Sequence, residues 1–152
     1  MKNLFKKTVL LLVIFSMAEI FYAEKLSPQE EYPVNFNYSM TVKSGQGNSG
    51  AGNIPLVKIN STSAKLADIT LPPFVFSEKM TINSFTIKNV QVEEKNDRLY
   101  FKLDSFSADD GKYKIKGYKV EGTIYKGQLE LKVIYKAGKM PFKLTVDYYS
   151  VK

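Results

Sequence analysis

The chain of 152 residues contains no cysteine, no histidine and no tryptophan. Without Cys there is no disulfide framework, no thiolate nucleophile, no zinc knuckle and no thiol to carry an acyl anchor. Without His there is no Ser-His-Asp triad, no His-ligated zinc and no imidazole base near neutral pH. Long apolar runs are also scarce. After residue 18 no segment is apolar enough to cross a bilayer, which takes about 20 residues, and none has a convincing helical period. These absences remove most familiar catalytic machinery, so no enzyme is expected.

The first residues read as a leader. Lys2, Lys6 and Lys7 precede an unbroken apolar run, Thr8–Phe15, and Ser16-Met17-Ala18 supplies small residues for cleavage. This is the pattern of a secretory signal peptide over 1–18. Cleavage after Ala23 is the alternative, with the bulky Phe21 three positions from that cut. The expected organisation is a signal peptide over 1–18, an N-terminal extension over 19–33 and one β-domain over 34–152. The chain is thus expected to be exported, to the periplasm or the extracellular side of the envelope, with no transmembrane segment in its mature form.

The formal net charge is +7, and +4 without residues 1–18. Residues 111–152 hold ten lysines against Glu121, Glu130 and Asp147, whereas 19–110 carry a balance of −3. The basic residues are therefore concentrated in the C-terminal third.

That third also has the clearest periodicity. Leu129, Leu131, Val133 and Tyr135 alternate with Gln128, Glu130, Lys132 and Ile134, and Met140, Phe142, Leu144, Val146 and Tyr148 form a second alternating set. Period two with one apolar face marks half-buried strands, and Ala137-Gly138-Lys139 turns one into the next. Lys126-Gly127, Asp110-Gly111 and Lys95-Asn96-Asp97 mark further turns, bounding strands near 112–125, 99–104 and 80–93. The apolar parity changes around Gly117, which predicts a bulge there. Val34, Phe36, Tyr38, Met40 and Val42 alternate in the same way, and 54–60 and 64–71 are shorter candidates. The expected fold class is all-β, an antiparallel up-and-down meander of about eight strands closed into a barrel, since closure removes exposed edges.

Here the sequence resembles the calycin-like β-barrel proteins of bacterial envelopes. The resemblance rests on Leu71 and Phe74, then Ile87, Asn89 and Val90. It continues through Gly122, Ile124, Gly127, Leu129, Leu131 and Val133, and ends on Gly138, Met140, Pro141, Leu144 and Val146. It implies an exported eight-stranded barrel and no defined ligand. Many such proteins are lipoproteins, and this chain has no Cys to acylate. The Gly-x-Trp of true lipocalins is absent too, so lipocalin ligands do not carry over.

Interiors of eight-stranded barrels are either packed solid or hold one small ligand. Phe101, Tyr118, Leu131, Val133, Phe142 and Val146 are expected to line that interior and, if it is hollow, to bind a small apolar or amphipathic molecule. The other expected surface is a basic wall of Lys114, Lys116, Lys132 and Lys143, with Lys112, Lys136 and Lys139 on neighbouring outward positions, which would attract an anionic envelope component. Nucleic acid is not expected, because the chain is read as exported and offers no recognition helix.

Four features suggest more than they carry. Ser44–Asn53 is glycine-rich, but no Gly-Lys-Ser/Thr follows, so it reads as a flexible hairpin loop. Asp104, Asp109 and Asp110 match no calcium-loop spacing, and Glu93-Glu94 reads as a solvated turn flank rather than a glycosidase carboxylate pair. Tyrosine can ligate haem iron, but strand propensity already accounts for ten Tyr and ten Phe. No metal and no cofactor is expected.

Overall fold

The computed structural model describes residues 26–50 and 52–152, so the expected leader over 1–18 lies outside the described residues. The described residues form twelve strands and no helix. They are β1 (Gln29–Met40), β2 (Lys43–Gln46), β3 (Leu56–Ser61), β4 (Leu66–Leu71), β5 (Phe74–Ser77), β6 (Met80–Ile82), β7 (Phe85–Lys95), β8 (Arg98–Leu103), β9 (Phe106–Asp109), β10 (Lys114–Tyr125), β11 (Gln128–Ala137) and β12 (Leu144–Ser150).

Eight of them close an antiparallel barrel in the order β1-β3-β4-β7-β8-β10-β11-β12, with β12 pairing back onto β1. Two short strands fill out the wall. Along one side of β1, β3 pairs with Gln29–Pro33 and β2 pairs with Asn37–Met40. Along one side of β10, β9 pairs with Lys114–Gly117 and β8 with Val120–Tyr125. The Ser44–Asn53 segment therefore begins as strand rather than loop. β1 also starts at Gln29, inside the stretch expected to precede the barrel.

Turn chemistry sets the hairpins. Lys126 and Gly127 both have positive φ, at 49° and 72°, as do Asn96 and Asp97, at 53° and 59°. Two consecutive left-handed residues match the twist of the strands they join. The bulge expected near Gly117 is present, where the β10–β11 register shifts between Gly117 and Lys119. Gly117 points inward beneath Phe106, and a Cβ there would lie 2.1 Å from that ring. The aromatic ring fills the space that glycine leaves. A second bulge, at Asn89 on β7, is stitched by the Asn89 N–H donating to Asp68 Oδ1 at 3.0 Å.

The stretch expected as one strand over 80–93 is divided. Met80–Ile82 pairs with Phe74–Ser77 in a separate hairpin, and β7 starts afresh at Phe85. This hairpin lies where β4 ends and β7 begins. Phe74 packs edge-to-face on Phe36 and Tyr38, with centroids 5.7 and 5.1 Å apart, and so plugs that end of the barrel. Asp110 clamps it down. Its carboxylate accepts the Asn83 N–H and the Lys112 N–H, both at 2.8 Å, and also the Tyr113 N–H. Its own carbonyl accepts the Asn83 side-chain amide at 3.2 Å. The one buried charged residue among those described thus joins the plug to the β9–β10 turn.

Candidate functional site

The interior of the barrel is filled. Phe101 and Leu131 are each 2% exposed, and Val133 and Val146 are fully buried. They lie in one core with Val120, Ile124, Leu129, Tyr135, Leu144 and Tyr148. Facing inward from neighbouring strands, these side chains pack against one another, and Phe101, Leu131 and Tyr148 also border a recess of the outer wall. Burial pushes the Tyr135 hydroxyl well above the ordinary tyrosine range, and the nearby charge of Asp110 adds to it. Burial does the same to Tyr148, with Tyr135 contributing. Both phenols stay neutral in this apolar setting.

Two residues expected inside are not there. Tyr118 is the extra residue of the β10 bulge, unpaired between Gly117 and Lys119. It is half-buried, and its ring carries Lys143 Nζ at 4.2 Å and Lys116 Nζ at 5.5 Å from the centroid, so it lies among the lysines of the wall. Phe142 precedes β12, which begins only at Leu144; it is half-buried in the loop and lies outside the core cluster.

Register divides the expected basic wall into two parts. Lys132 lies opposite Glu121 on β10 and Asp147 on β12, with Asp147 Oδ1 at 4.0 Å. Lys102 lies opposite Glu121 on its other side, so charges alternate in sign across four strands from Lys102 to Asp147. Lys114 is ion-paired with Asp109. Hydrogen bonding between the two holds the Asp109 carboxyl below its ordinary range and Lys114 above its own. Lys116 and Lys143 have no acidic partner among the described residues, nor has Lys136, which sits directly opposite Lys116. Like charges placed opposite one another in a sheet repel. Lys116 and Lys143 over the Tyr118 ring, with Lys136 opposite Lys116, therefore form a cationic cluster with no acidic partner among the described residues. Parity with Lys132 already places Lys136 on the outward face expected for the basic wall.

Two recesses lie on the outer wall. One, of about 980 Å³, runs from β4 across β7, β8, β10 and β11 to β12; outward positions such as Tyr100, Lys102, Glu121 and Lys132 flank it, and Phe101, Leu131 and Tyr148, whose side chains face the core, also line it. The other, of about 370 Å³, lies beside β1 under the loop between β2 and β3. The three aspartates weighed as a cation site are engaged separately. Asp104 pairs with Lys102 at 3.9 Å, Asp109 with Lys114, and Asp110 with backbone N–H groups.

The family model of the calycin-like beta-barrel domain matches residues 35–150. Among solved structures, the chain is similar to a putative outer membrane protein of Bacteroides fragilis, with 18% identity and a TM-score of 0.68. The match covers 82% of this chain and 50% of that one, so the likeness spans about half the length of the neighbour and shows the fold. No curated protein matches. With the closed barrel and the family match over most of its length, the chain belongs to the calycin-like β-barrel domain family.

Proposed function

We propose that this protein is an exported, non-catalytic binding module of the envelope that meets an anionic partner through its outer wall. The observation that carries this reading is the pairing of a filled interior with the unneutralised cluster of Lys116 and Lys143 over the Tyr118 ring and Lys136 opposite Lys116. An inward ligand would need room that Phe101, Leu131, Val133 and Val146 already occupy. The Tyr118 ring holds two of the ammonium groups in place, and an anion bridging the opposed lysines would relieve their repulsion. Lys114 and Lys132, each with an acidic neighbour, contribute little net potential. The name of the structural neighbour is consistent with an envelope setting.

Co-sedimentation with phosphatidylglycerol vesicles tests the reading, with phosphatidylcholine vesicles as control. A basic residue near an anionic surface contributes about 1 kcal/mol. The Lys116→Gln, Lys136→Gln, Lys143→Gln triple variant should therefore bind about a hundredfold more weakly. The Lys114→Gln, Lys132→Gln double variant should lose much less. Equal binding by wild type and triple variant would refute the proposal.

A further inference from the structure

The smaller recess has a different chemistry, and we infer that it is a binding site for a neutral sugar. It arises from a break in the wall. β2 leaves the side of β1 at Gln46 and β3 rejoins it at Leu56, so neither strand pairs with β1 at Asn35 on that side. The hollow is lined by Asn35, Gln46, Asn48, Ser49, Asn53 and Tyr149 among others, and none of its lining residues is charged. Its volume of about 370 Å³ lies at the low end of small-molecule sites.

The loop over this hollow is held in shape from several sides. Gly47 N–H donates to the Phe36 carbonyl and Val34 N–H to the Pro55 carbonyl, both at 3.0 Å. Gly50 N–H donates to Asn48 Oδ1 at 2.9 Å, and Ser49 Oγ donates to the Asn53 carbonyl at 3.2 Å. Val75 N–H, from the plugging hairpin, reaches the Asn48 carbonyl at 2.6 Å. The side-chain amides of Asn35, Gln46 and Asn53, all exposed residues, have no hydrogen-bond partner among the described residues and so are open to a ligand. Three carboxamides thus offer both donors and acceptors to one small space.

That donor–acceptor balance selects the ligand class. A phosphate or carboxylate could use only the amide N–H donors, would leave the amide oxygens unmatched, and would find no cation in the lining to offset its charge. An apolar ligand would strip water from three amides and give nothing back. Sugar hydroxyls are donor and acceptor at once and match the amide edges. Tyr149, cross-strand neighbour of Asn35, adds an amphipathic ring on which the C–H face of a pyranose can rest. Tyr149 also borders the larger outer recess, so a chain of sugars could continue from one hollow to the other.

Isothermal titration with maltohexaose, cellohexaose, mannohexaose and chitohexaose tests this. At least one of the four should bind. Asn35→Ala and Tyr149→Ala should each weaken it by about tenfold or more, with Asn53→Ala on the loop as a second variant if Tyr149→Ala unfolds. Binding should survive a rise from about 0.05 to about 0.5 M salt and the triple lysine substitution, which separates this site from the cationic cluster. Absence of binding by all four sugars, or binding that Asn35→Ala and Asn53→Ala leave unchanged, would overturn the inference.

Discussion

Phe101→Ala separates a packed barrel from a hollow one. Phe101 sits mid-strand on β8, opposite Val92 on β7 and Gly122 on β10. Gly122 presents no side chain, so the ring and Leu131 fill the volume beside it; a Cβ on Gly122 would lie 2.8 Å from Leu131 Cδ1. Removing the ring forfeits a transfer contribution of about 1.5–3 kcal/mol and leaves a cavity that a closed ladder cannot collapse. The expected loss is about 3–5 kcal/mol. With a urea m-value of about 1.5 kcal/mol/M, that lowers the midpoint by about 2–3 M. Tyr100→Ala, one residue away on the outward face and 38% exposed, should cost about 1 kcal/mol or less. A loss below about 1.5 kcal/mol for Phe101→Ala, together with uptake of a fluorescent fatty-acid probe by the wild type, would refute the packed interior.

Other perturbations test the remaining joints of the structure. Asp110→Ala removes the acceptor shared by the backbone N–H groups of Asn83, Lys112 and Tyr113 and should cost about 1–3 kcal/mol; Asp110→Asn, which keeps an acceptor, should cost less in the same thermal melts. Gly117→Ala drives a methyl into the Phe106 ring and should destabilise by about 1–3 kcal/mol. Phe106→Ala should then cost less in that background than alone, a coupling that a double-mutant cycle reads directly. The tyrosine hydroxyls predict alkaline behaviour. Tyr135 and Tyr148 hold their protons in the folded state past the pH, near 10, at which an unfolded chain releases them. Their contribution to stability is therefore complete below about pH 10 and is lost as pH rises above it. Tyrosinate absorbance should show these two ionising only with the unfolding transition.

Alternation made the barrel wall readable, because period two with one apolar face has few other solutions. It could not mark where a strand begins. Met140 and Phe142 continue the parity of Leu144 and Val146, but the ladder starts at Leu144, since parity describes spacing and not hydrogen bonding. The bulge near Gly117 was legible from the parity change, but the face its extra residue takes was not. Tyr118 emerges among lysines because the register slips at that residue. The run from Met80 carried no sign that Asn83 and Ser84 interrupt it. There Ser84 Oγ donates to the Leu71 carbonyl at 2.7 Å, and Asp110 grips Asn83, both tertiary contacts. Charge counting and parity found the lysine wall, Lys136 included, yet only cross-strand register reveals that Lys132 is neutralised and that Lys136 faces Lys116 directly. The amide-lined hollow depends on the wall breaking between β2 and β3, which a glycine-rich stretch alone does not locate.

The central claim is that the outside of this barrel binds while the inside only packs. A ¹⁵N NMR titration of the protein with dihexanoyl phosphatidylglycerol, kept monomeric, tests it residue by residue. The account predicts shifts at Lys116, Tyr118, Lys136 and Lys143 that fade as salt rises, with the amides of Phe101, Leu131, Val133 and Val146 unmoved. Shifts centred on those four inward residues, with the lysine cluster silent, would contradict it.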